Sequence, residues 1–460
     1  MFSGSYGGRS TFLLLSENLA LMISTFVAAL IKLGIADGIF KLHFSVGKAL
    51  FAALVFQVCL YFYDLYDLNV HASGVELARK LATALLVAAL LLGVIYSIFP
   101  NLMVIPGIWP LSAVIALVIL YSWRVWIEVI NRIPGIGSLL LIVGTGELAV
   151  SLAREIQAQP TLGIKVCGFL GEETVQADEL FVDSQVLGTI DNIDTMAARY
   201  SITHIVIALR DRRGRLPVET LLNLKLGGVI IEEGASLYER ITGKLPVEEL
   251  NPSYLVFSSG FRISKLTLVY QRVFSIIFSF VGLVLSMPLL LFIAIAIKLD
   301  SRGPIFFQQE RVGKYGRIFK LIKFRSMYVD AEAGTGPVWA QADDPRVTRV
   351  GRFIRRTRLD ELPQFINVLK GDLNFVGPRP ERSYFVDQLQ TLIPYYTLRH
   401  MIKPGLTGWA QVKYPYGATI EEAREKLEYD LYYIKNMSIL LDLAIIFHTV
   451  KTVLLGRGAR

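Results

Sequence analysis

The chain has 460 residues, 53% hydrophobic and 19% charged, with a formal net charge of +8 and a mean hydropathy of +0.48. These values exclude a disordered chain and argue against an ordinary soluble enzyme, and the length is a prior for about three modules of ~150 residues each. Two cysteines, Cys59 and Cys167, are too few for a disulfide framework or a zinc site. The basic excess belongs to the C-terminal third: residues 298–460 hold 26 Lys and Arg against 17 Asp and Glu, the remainder 21 against 22. Such a surface suits phosphates, anionic lipid headgroups or nucleic acid, or serves solubility alone.

Four apolar stretches, 11–33, 46–65, 77–99 and 108–130, reach the length of about 20 residues that crosses a bilayer core. The first is too long for a cleaved signal peptide, and three more follow it. Arg9, Arg79, Lys80, Arg124 and Arg132 flank the spans on one side, and the loop 100–107 has neither Lys nor Arg. Lys32 and Lys41 weaken this pattern without reversing it, so both ends of a four-helix transmembrane bundle, residues 1–133, are expected in the cytoplasm. Asp64 and Asp67 are placed at the interface, and the spans carry too few polar residues for a transport path.

After Pro134-Gly135 the composition becomes that of a soluble α/β module, 134–262. Residues 139–143, 164–170 and 204–208 read as strands with helical patterns between them, which argues for a Rossmann-like parallel sheet. Gly144-Thr145-Gly146-Glu147-Leu148-Ala149 fits the turn that brings backbone N–H groups to a pyrophosphate. Gly144 and Gly146 are therefore candidate cofactor-binding residues, and Glu172 or Glu173 could meet a ribose. The same turn is equally compatible with a fold that binds nothing, or with an assembly surface for a homodimer.

Residues 273–297 form 25 uncharged positions between Arg272 and Lys298, interrupted by Ser286-Met287-Pro288. Length alone gives a membrane helix. A proline removes one backbone donor and clashes with the preceding turn, so a kink is expected there. The kinked segment either spans or turns back to the face it entered.

From Asp300 onward the chain is polar, rich in Arg and punctuated by Gly and Pro, and four clusters stand out. They are Gln308-Gln309-Glu310-Arg311-Val312-Gly313 with Phe319-Lys320-Leu321-Ile322-Lys323-Phe324-Arg325-Ser326-Met327; Arg355-Arg356-Thr357-Arg358-Leu359-Asp360-Glu361-Leu362-Pro363; Lys370-Gly371-Asp372 with Val376-Gly377-Pro378-Arg379-Pro380; and Lys403-Pro404-Gly405-Leu406-Thr407-Gly408-Trp409-Ala410-Gln411-Val412. In the second cluster Leu359, Leu362, Ile366 and Leu369 lie at helical spacing, and Pro363 is tolerated only in a first turn, which puts Asp360 and Glu361 at a helix start. Anions are favoured there. The arginines nearby should hold Asp360 ionised, and an ionised carboxylate can attack phosphorus. A neighbouring Glu can share Mg²⁺ with substrate phosphates. An Asp cap within a surface salt-bridge network is the competing reading.

Taken together, the four clusters resemble the bacterial sugar transferases, the polyprenol-phosphate hexose-1-phosphate transferases or monotopic phosphoglycosyl transferases, over roughly 265–455. With the spans and the Rossmann-like module ahead of them, the chain resembles the large members that initiate exopolysaccharide, O-antigen or capsule synthesis. The resemblance implies a membrane protein of several domains whose last, 263–460, is mostly α with 273–297 a re-entrant membrane helix. It implies transfer of a hexose 1-phosphate, glucose being expected, from a UDP-sugar to undecaprenyl phosphate at the cytoplasmic face of the inner membrane, with release of UMP. The family's Asp-Glu dyad falls on Asp360, the nucleophile that forms a phosphosugar ester, and Glu361, which holds Mg²⁺. Arg379, Arg355, Lys323, Arg325 and Pro378 are implied around the substrate, and Ser286 and Pro288 at the break in the helix, one residue further apart than in small members. Asp372 is expected to order the turn after Gly371. The final apolar helix, 438–455, contains Asp442, His448 and Lys451, which suits an amphipathic helix on the membrane surface or ordinary core packing.

Nucleic acid is a poor partner, because no helix-turn-helix, RNP or zinc pattern is present. Two rivals remain at this level. A membrane-bound NAD-dependent nucleotide-sugar dehydratase or epimerase is disfavoured because no Tyr stands four residues before any Lys. A non-catalytic nucleotide-sensing scaffold is disfavoured by intact Asp360, Glu361 and Arg379.

Overall fold

The structure, a computed structural model, describes residues 6–34, 46–63, 65–66, 74–103, 105–132, 138–159, 162–171, 185–209, 216–250, 252–258, 260–329, 331, 344–414 and 419–454. The chain forms two compact units, Met1–Ile241 and Thr242–Arg460.

In the first unit, helices α1 (Tyr6–Leu33), α2 (Val46–Phe62), α3 (Gly74–Ile98) and α4 (Trp109–Arg132) pack in a ring, each on the next and α4 back on α1. Leu21, Phe56, Leu60, Leu81, Leu92 and Leu120 fill its centre, with Ala53, Ala84, Ala88 and Ala116 allowing close approach. Three of these helices are long and apolar enough to cross a membrane. The predicted second span is the exception: α2 has 17 residues, short of the usual ~20. The bundle also holds a polar cluster that composition hid. Arg124, counted above as a flanking charge, instead grips Glu17, itself wholly buried, through Nε–Oε1 at 2.7 Å and Nη2–Oε2 at 3.1 Å. Asp64, Asp67 and Lys41 lie outside the described residues.

The α/β part of this unit is a five-stranded sheet in the order β3-β2-β1-β4-β5, parallel throughout, from β1 (Ser138–Val143), β2 (Ile164–Gly171), β3 (Val186–Thr189), β4 (His204–Ile207) and β5 (Ile230–Glu233). Leu140 and Ile142 pack on one face against α5 (Glu147–Ala158) and α8 (Gly234–Thr242). Leu141 and Val143 pack on the other against α6 (Ile193–Arg199) and α7 (Val218–Leu226). Burial on both faces explains the continuous apolar run of β1.

The second unit begins earlier than composition suggests. Gly243 O accepts from Trp409 Nε1 at 2.9 Å, Lys244 pairs with Glu425 at 2.9 Å, and Tyr254, on α9 (Pro252–Phe257), accepts from Lys435 at 2.7 Å. Residues 242–257 thus pack with the transferase-like part, although their composition grouped them with the α/β module.

Its longest element is α10 (Lys265–Asp300), 36 residues, capped by Ser264, whose side chain accepts from Thr267 N. It runs on as helix through Pro288. Its buried residues fall at its two ends: Gln271, Ser275 and Ser279, one turn apart, and then Ile293 and Ile297. The stretch between is exposed apolar surface, including Val284, Leu285, Met287 and Leu291. The rest of the unit comprises the hairpin β6 (Phe306–Val312) and β7 (Ile318–Phe324), helices α11 (Arg349–Arg356), α12 (Gln364–Lys370) and α13 (Ser383–Leu392), the parallel pair β8 (Asn374–Val376) and β9 (Gly405–Thr407), then α14 (Trp409–Lys413), α15 (Ile420–Lys435) and α16 (Ile439–Leu454).

Candidate active site

The four sequence clusters meet in the second unit, and each arrives by a different structural device. Lys323 stands on β7, opposite Phe307. Phe324 beside it faces the other way, into a core with Ile293, Ile297 and Ile354, so the strand's alternation turns Lys323 away from that core. Asn367 joins β7 to α12. It is buried, its Oδ1 accepts from Ile322 N at 2.9 Å, and its Nδ2 donates to Lys320 O at 2.8 Å and Asp372 Oδ2 at 3.1 Å. Asp372 orders the turn after Gly371, as expected, and its own N–H reaches Asn367 O at 3.0 Å.

Asp360 and Glu361 occupy a 3-10 turn, Leu359–Glu361, directly before α12. The chain enters it through Arg358 at φ +56°, a left-handed conformation that is uncommon for a side chain of this size and recurs at functional sites. The predicted apolar stripe 359/362/366/369 is not the buried face. Those residues are half-buried, and α12 buries Gln364, Asn367 and Val368 instead. The reason is that α12 docks on β7 through an amide, Asn367, that satisfies two backbone groups of the strand.

Arg379 comes from the third and fourth clusters jointly. Gly377 N donates to Thr407 O at 2.8 Å, and Gly405 N donates to Pro378 O at 2.9 Å. A Cβ on Gly405 would run into the Gly377 backbone, and one on Gly408 into the Gly377 carbonyl. The glycines of both motifs therefore exist so that two backbones can touch. Pro378 is buried with its carbonyl committed, so its part is to hold Arg379. Pro378 and Pro380 lack N–H groups, which leaves carbonyls as the handles on this loop. Arg399 Nη2 takes the Arg379 carbonyl at 3.0 Å, and Arg311 Nη1 takes the Pro380 carbonyl at 3.1 Å. Arg399 is buried, and is fixed by Tyr396 Oη at 2.7 Å and Asp430 at 2.8 Å.

At the centre, Glu361 Oε1 receives Arg379 Nη2 at 2.7 Å and Lys323 Nζ at 3.3 Å. Asp360 is 9% exposed, and Arg355 lies within electrostatic reach of it. Arg355 makes no ion pair among the described residues. The two carboxylates titrate apart. Burial pushes Asp360 up to about 6, helped by the charge of Glu361 and opposed by Lys323, Arg379 and Arg355. Burial also works against Glu361, but Arg379 and Lys323 outweigh it and hold that carboxyl far below the usual range. Burial lowers the Lys323 ammonium despite Glu361. The expectation that neighbouring arginines hold Asp360 ionised holds in direction only: Arg379 and Arg355 pull that way, but desolvation outweighs them at Asp360.

Arg325 departs from the pocket position assigned to it. Its Nη2 donates to Ser301 O at 2.8 Å and Ser301 Oγ at 2.9 Å, where α10 ends, while its Nε and Nη1 are buried without a partner. Ser286 donates to Leu283 O at 3.3 Å, and Pro288 stands in the exposed middle of α10. Gly144, at φ +117°, is required by packing, since a Cβ there would lie 2.8 Å from Ala208 O; a Cβ on Gly146 would meet nothing within 4 Å. Glu172 and Glu173 lie outside the described residues.

A cluster of three metal-binding side chains is absent among the described residues. Mg²⁺ needs less, since it takes one or two carboxylates together with phosphate oxygens. The donor set fits that mode: both contacts to Glu361 fall on Oε1, leaving Oε2, and Asp360 stands beside it.

The chain is also similar to known proteins. The family model described as bacterial sugar transferase matches residues 266–456. A UDP-N-acetylgalactosamine-undecaprenyl-phosphate N-acetylgalactosaminephosphotransferase of Aeromonas hydrophila is 42% identical over 59% of this chain and 63% of its own length. A UDP-glucose:undecaprenyl-phosphate glucose-1-phosphate transferase of Escherichia coli K12 is 35% identical over 67% of each chain. An exopolysaccharide production protein of Rhizobium leguminosarum is 43% identical over 42% of this chain and 98% of its own length. The match thus spans less than two thirds of the Aeromonas relative.

Proposed function

The chain belongs to the bacterial sugar transferase family, and from that premise we propose that it moves a hexose 1-phosphate from a UDP-sugar to undecaprenyl phosphate. The observation that carries this reading is the split dyad: one carboxylate charged and clamped, the other buried with a raised pKa and free of clamps. An Asp Oδ of Asp360 attacks the β-phosphorus, the bond to the UMP oxygen breaks, and UMP leaves with the electron pair. A phosphate oxygen of undecaprenyl phosphate then attacks the same phosphorus and displaces the carboxylate. Arg379 and Lys323 turn toward the phosphates while keeping Glu361 ionised, and the unpaired guanidinium of Arg355 offers a fork for phosphate oxygens. Glu361 through Oε2, with Asp360, would hold Mg²⁺, which when bound neutralises phosphate charge.

UDP-sugars are cytoplasmic, so the second unit belongs at the cytoplasmic face of the bacterial inner membrane. For the same reason α10 is re-entrant. Support comes from its two ends, which both pack on one unit: Arg272 on the Val368 carbonyl, and Asp300 on Val350 N. The product lipid would initiate exopolysaccharide, O-antigen or capsule assembly.

Glucose is the first sugar to test. The Aeromonas relative's name favours N-acetylgalactosamine as a second reading. The experiment is UMP release from a panel of UDP-sugars by membranes supplied with undecaprenyl phosphate, with and without EDTA. Release with one hexose, abolished by EDTA, is expected. No release with any sugar would overturn the transfer, and EDTA-resistant release would remove Glu361's metal role.

A further inference from the structure

The C-terminal end of α12, opposite the dyad, is crowded with cations. Arg272, the last residue before the uncharged stretch 273–297, donates from Nη1 to the Val368 carbonyl at 2.6 Å and from Nη2 to the Leu369 carbonyl at 2.9 Å. That is the usual work of a basic side chain at a helix end, where carbonyls lack an intrahelical donor. Gly371 follows at φ +95°, and a Cβ placed on it would lie 3.5 Å from Arg272 Nη2 and 3.6 Å from Lys403 Nζ. Two cationic groups therefore converge on one point. Lys314, in the turn between β6 and β7, adds a third: burial, then the charges of Arg272 and Lys314, hold the Lys403 ammonium below its ordinary value. Asp372 opposes them, but its Oδ2 is shared with Asn367.

Helix capping accounts for Arg272, and Lys314 Nζ lies 4.7 Å from the centroid of the Tyr315 ring, but neither Lys403 nor Lys314 makes an ion pair among the described residues. Half-buried like charges repel, and an anion between them removes that cost. The position selects the anion's carrier. Arg272 adjoins the apolar stretch, so the cluster stands at the depth where lipid headgroups lie. Nucleotide is disfavoured at this end, because the dyad lies at the other end of α12, which at seven residues is about 10 Å long.

We infer that Arg272, Lys314 and Lys403 form a binding site for the phosphate headgroup of an amphipathic lipid, separate from the dyad. The inference rests on the membrane character of α10 and not on the transfer reaction. Two lipids carry that chemistry, an anionic phospholipid and undecaprenyl phosphate.

The test uses the full chain in nanodiscs of phosphatidylcholine, alone or with phosphatidylglycerol or undecaprenyl phosphate, read by native mass spectrometry for retained lipid. Lys403→Gln and Lys314→Gln are compared singly and together; Arg272 is left in place because its loss uncaps α12. The double variant should retain the bound lipid roughly tenfold less than wild type. Loss confined to undecaprenyl phosphate, with a raised KM for it and an unchanged KM for the UDP-sugar, assigns the site to the acceptor. Loss of phosphatidylglycerol, with the undecaprenyl phosphate KM unchanged, assigns it to phospholipid. Unchanged retention of both lipids overturns the inference. If the double variant does not fold, Lys314→Gln alone, in an exposed turn, decides by the same readout. Lipid retention is measured without turnover, so an inactive protein that still binds lipid would sink the transfer and leave this site standing.

Discussion

Asp360 is placed where burial disfavours the very charge its chemistry needs. Its raised pKa means that the folded protein binds that proton more tightly than the unfolded chain does. The resulting stability cost is fully present above pH ~6 and fades as pH falls toward the unfolded value of ~4. Asp360→Asn should therefore abolish UMP release and raise the free energy of unfolding at pH 7.5 by about 1–3 kcal/mol, seen as a higher Tm, with the gain vanishing near pH 4. A variant that is inactive but no more stable at pH 7.5 would deny the desolvation. The same ionisation predicts that kcat/KM falls as pH drops through about 6 in wild type. Arg399 acts at one remove. Arg399→Lys keeps the charge but loses the fork that reaches Tyr396, Asp430 and the Arg379 carbonyl together, so KM for the UDP-sugar should rise about tenfold. If Arg399 works through Arg379, the same change made on Arg379→Lys should add little. Asp360, Glu361, Lys323 and Arg379 were legible in the sequence because each lies in a contiguous motif. Arg399 and Asp430 were not, because what they hold is a backbone carbonyl brought near by the fold, which leaves no spacing signal.

At the scale of single elements, α16 is amphipathic inside out. Asp442 and Lys451 are buried, and Ile439, Leu440, Leu443, Val450 and Val453 are exposed. Of the two readings left open by the sequence, a membrane-surface amphipath or core packing, Asp442 and Lys451 follow the second and face the protein. Asp442 accepts from Tyr433 Oη at 2.7 Å, Tyr270 Oη at 3.0 Å and Gln271 Nε2 at 3.2 Å, which joins α16 to α15 and α10. The outward face then continues the exposed apolar surface of α10. Asp442→Ala would take the partner from Tyr270 and leave Gln271 Nε2 with Tyr433 Oη at 2.9 Å and Tyr433 Oη with Val376 O at 3.4 Å, at a cost of about 1–3 kcal/mol for a buried group left unpaired. The expected result is a lower Tm and early proteolysis within α16; an unchanged Tm would show that water replaces the carboxylate. Periodicity located α16 but could not orient it, since a 3.6-residue repeat says which residues share a face and not whether that face meets water, lipid or protein. The strands β3 and β5 escaped for a related reason: four residues each, with Glu232 and Glu233 in β5, they lack an apolar run.

At the scale of the whole molecule the decisive matter is how α10 meets the bilayer. A straight helix of 36 residues is about 54 Å long, ample to cross a hydrocarbon core of ~30 Å. A crossing helix would carry one end away from any domain packed on the other. Here Gln271, Ser275 and Ser279 are buried near one end and Ile293 and Ile297 near the other, all against the same unit, while no residue between Ser279 and Ile293 is buried. Keeping both ends on that unit while spanning would drag its charged residues into hydrocarbon, at several kcal/mol each. An entry and exit at one face avoids that, with Pro288 in the exposed middle removing the backbone donor that a straight helix would need. Single cysteines at Leu266 and Leu299, both exposed flanks of α10, should therefore react with an impermeant maleimide from the same side in a background lacking Cys59 and Cys167. Asn101, in the bundle loop without Lys or Arg, should react from the opposite side and report that both faces are accessible to the reagent. Labelling of Leu266 and Leu299 from opposite faces would put the dyad's own unit across the membrane from part of its scaffold, and the re-entrant reading would fall with it.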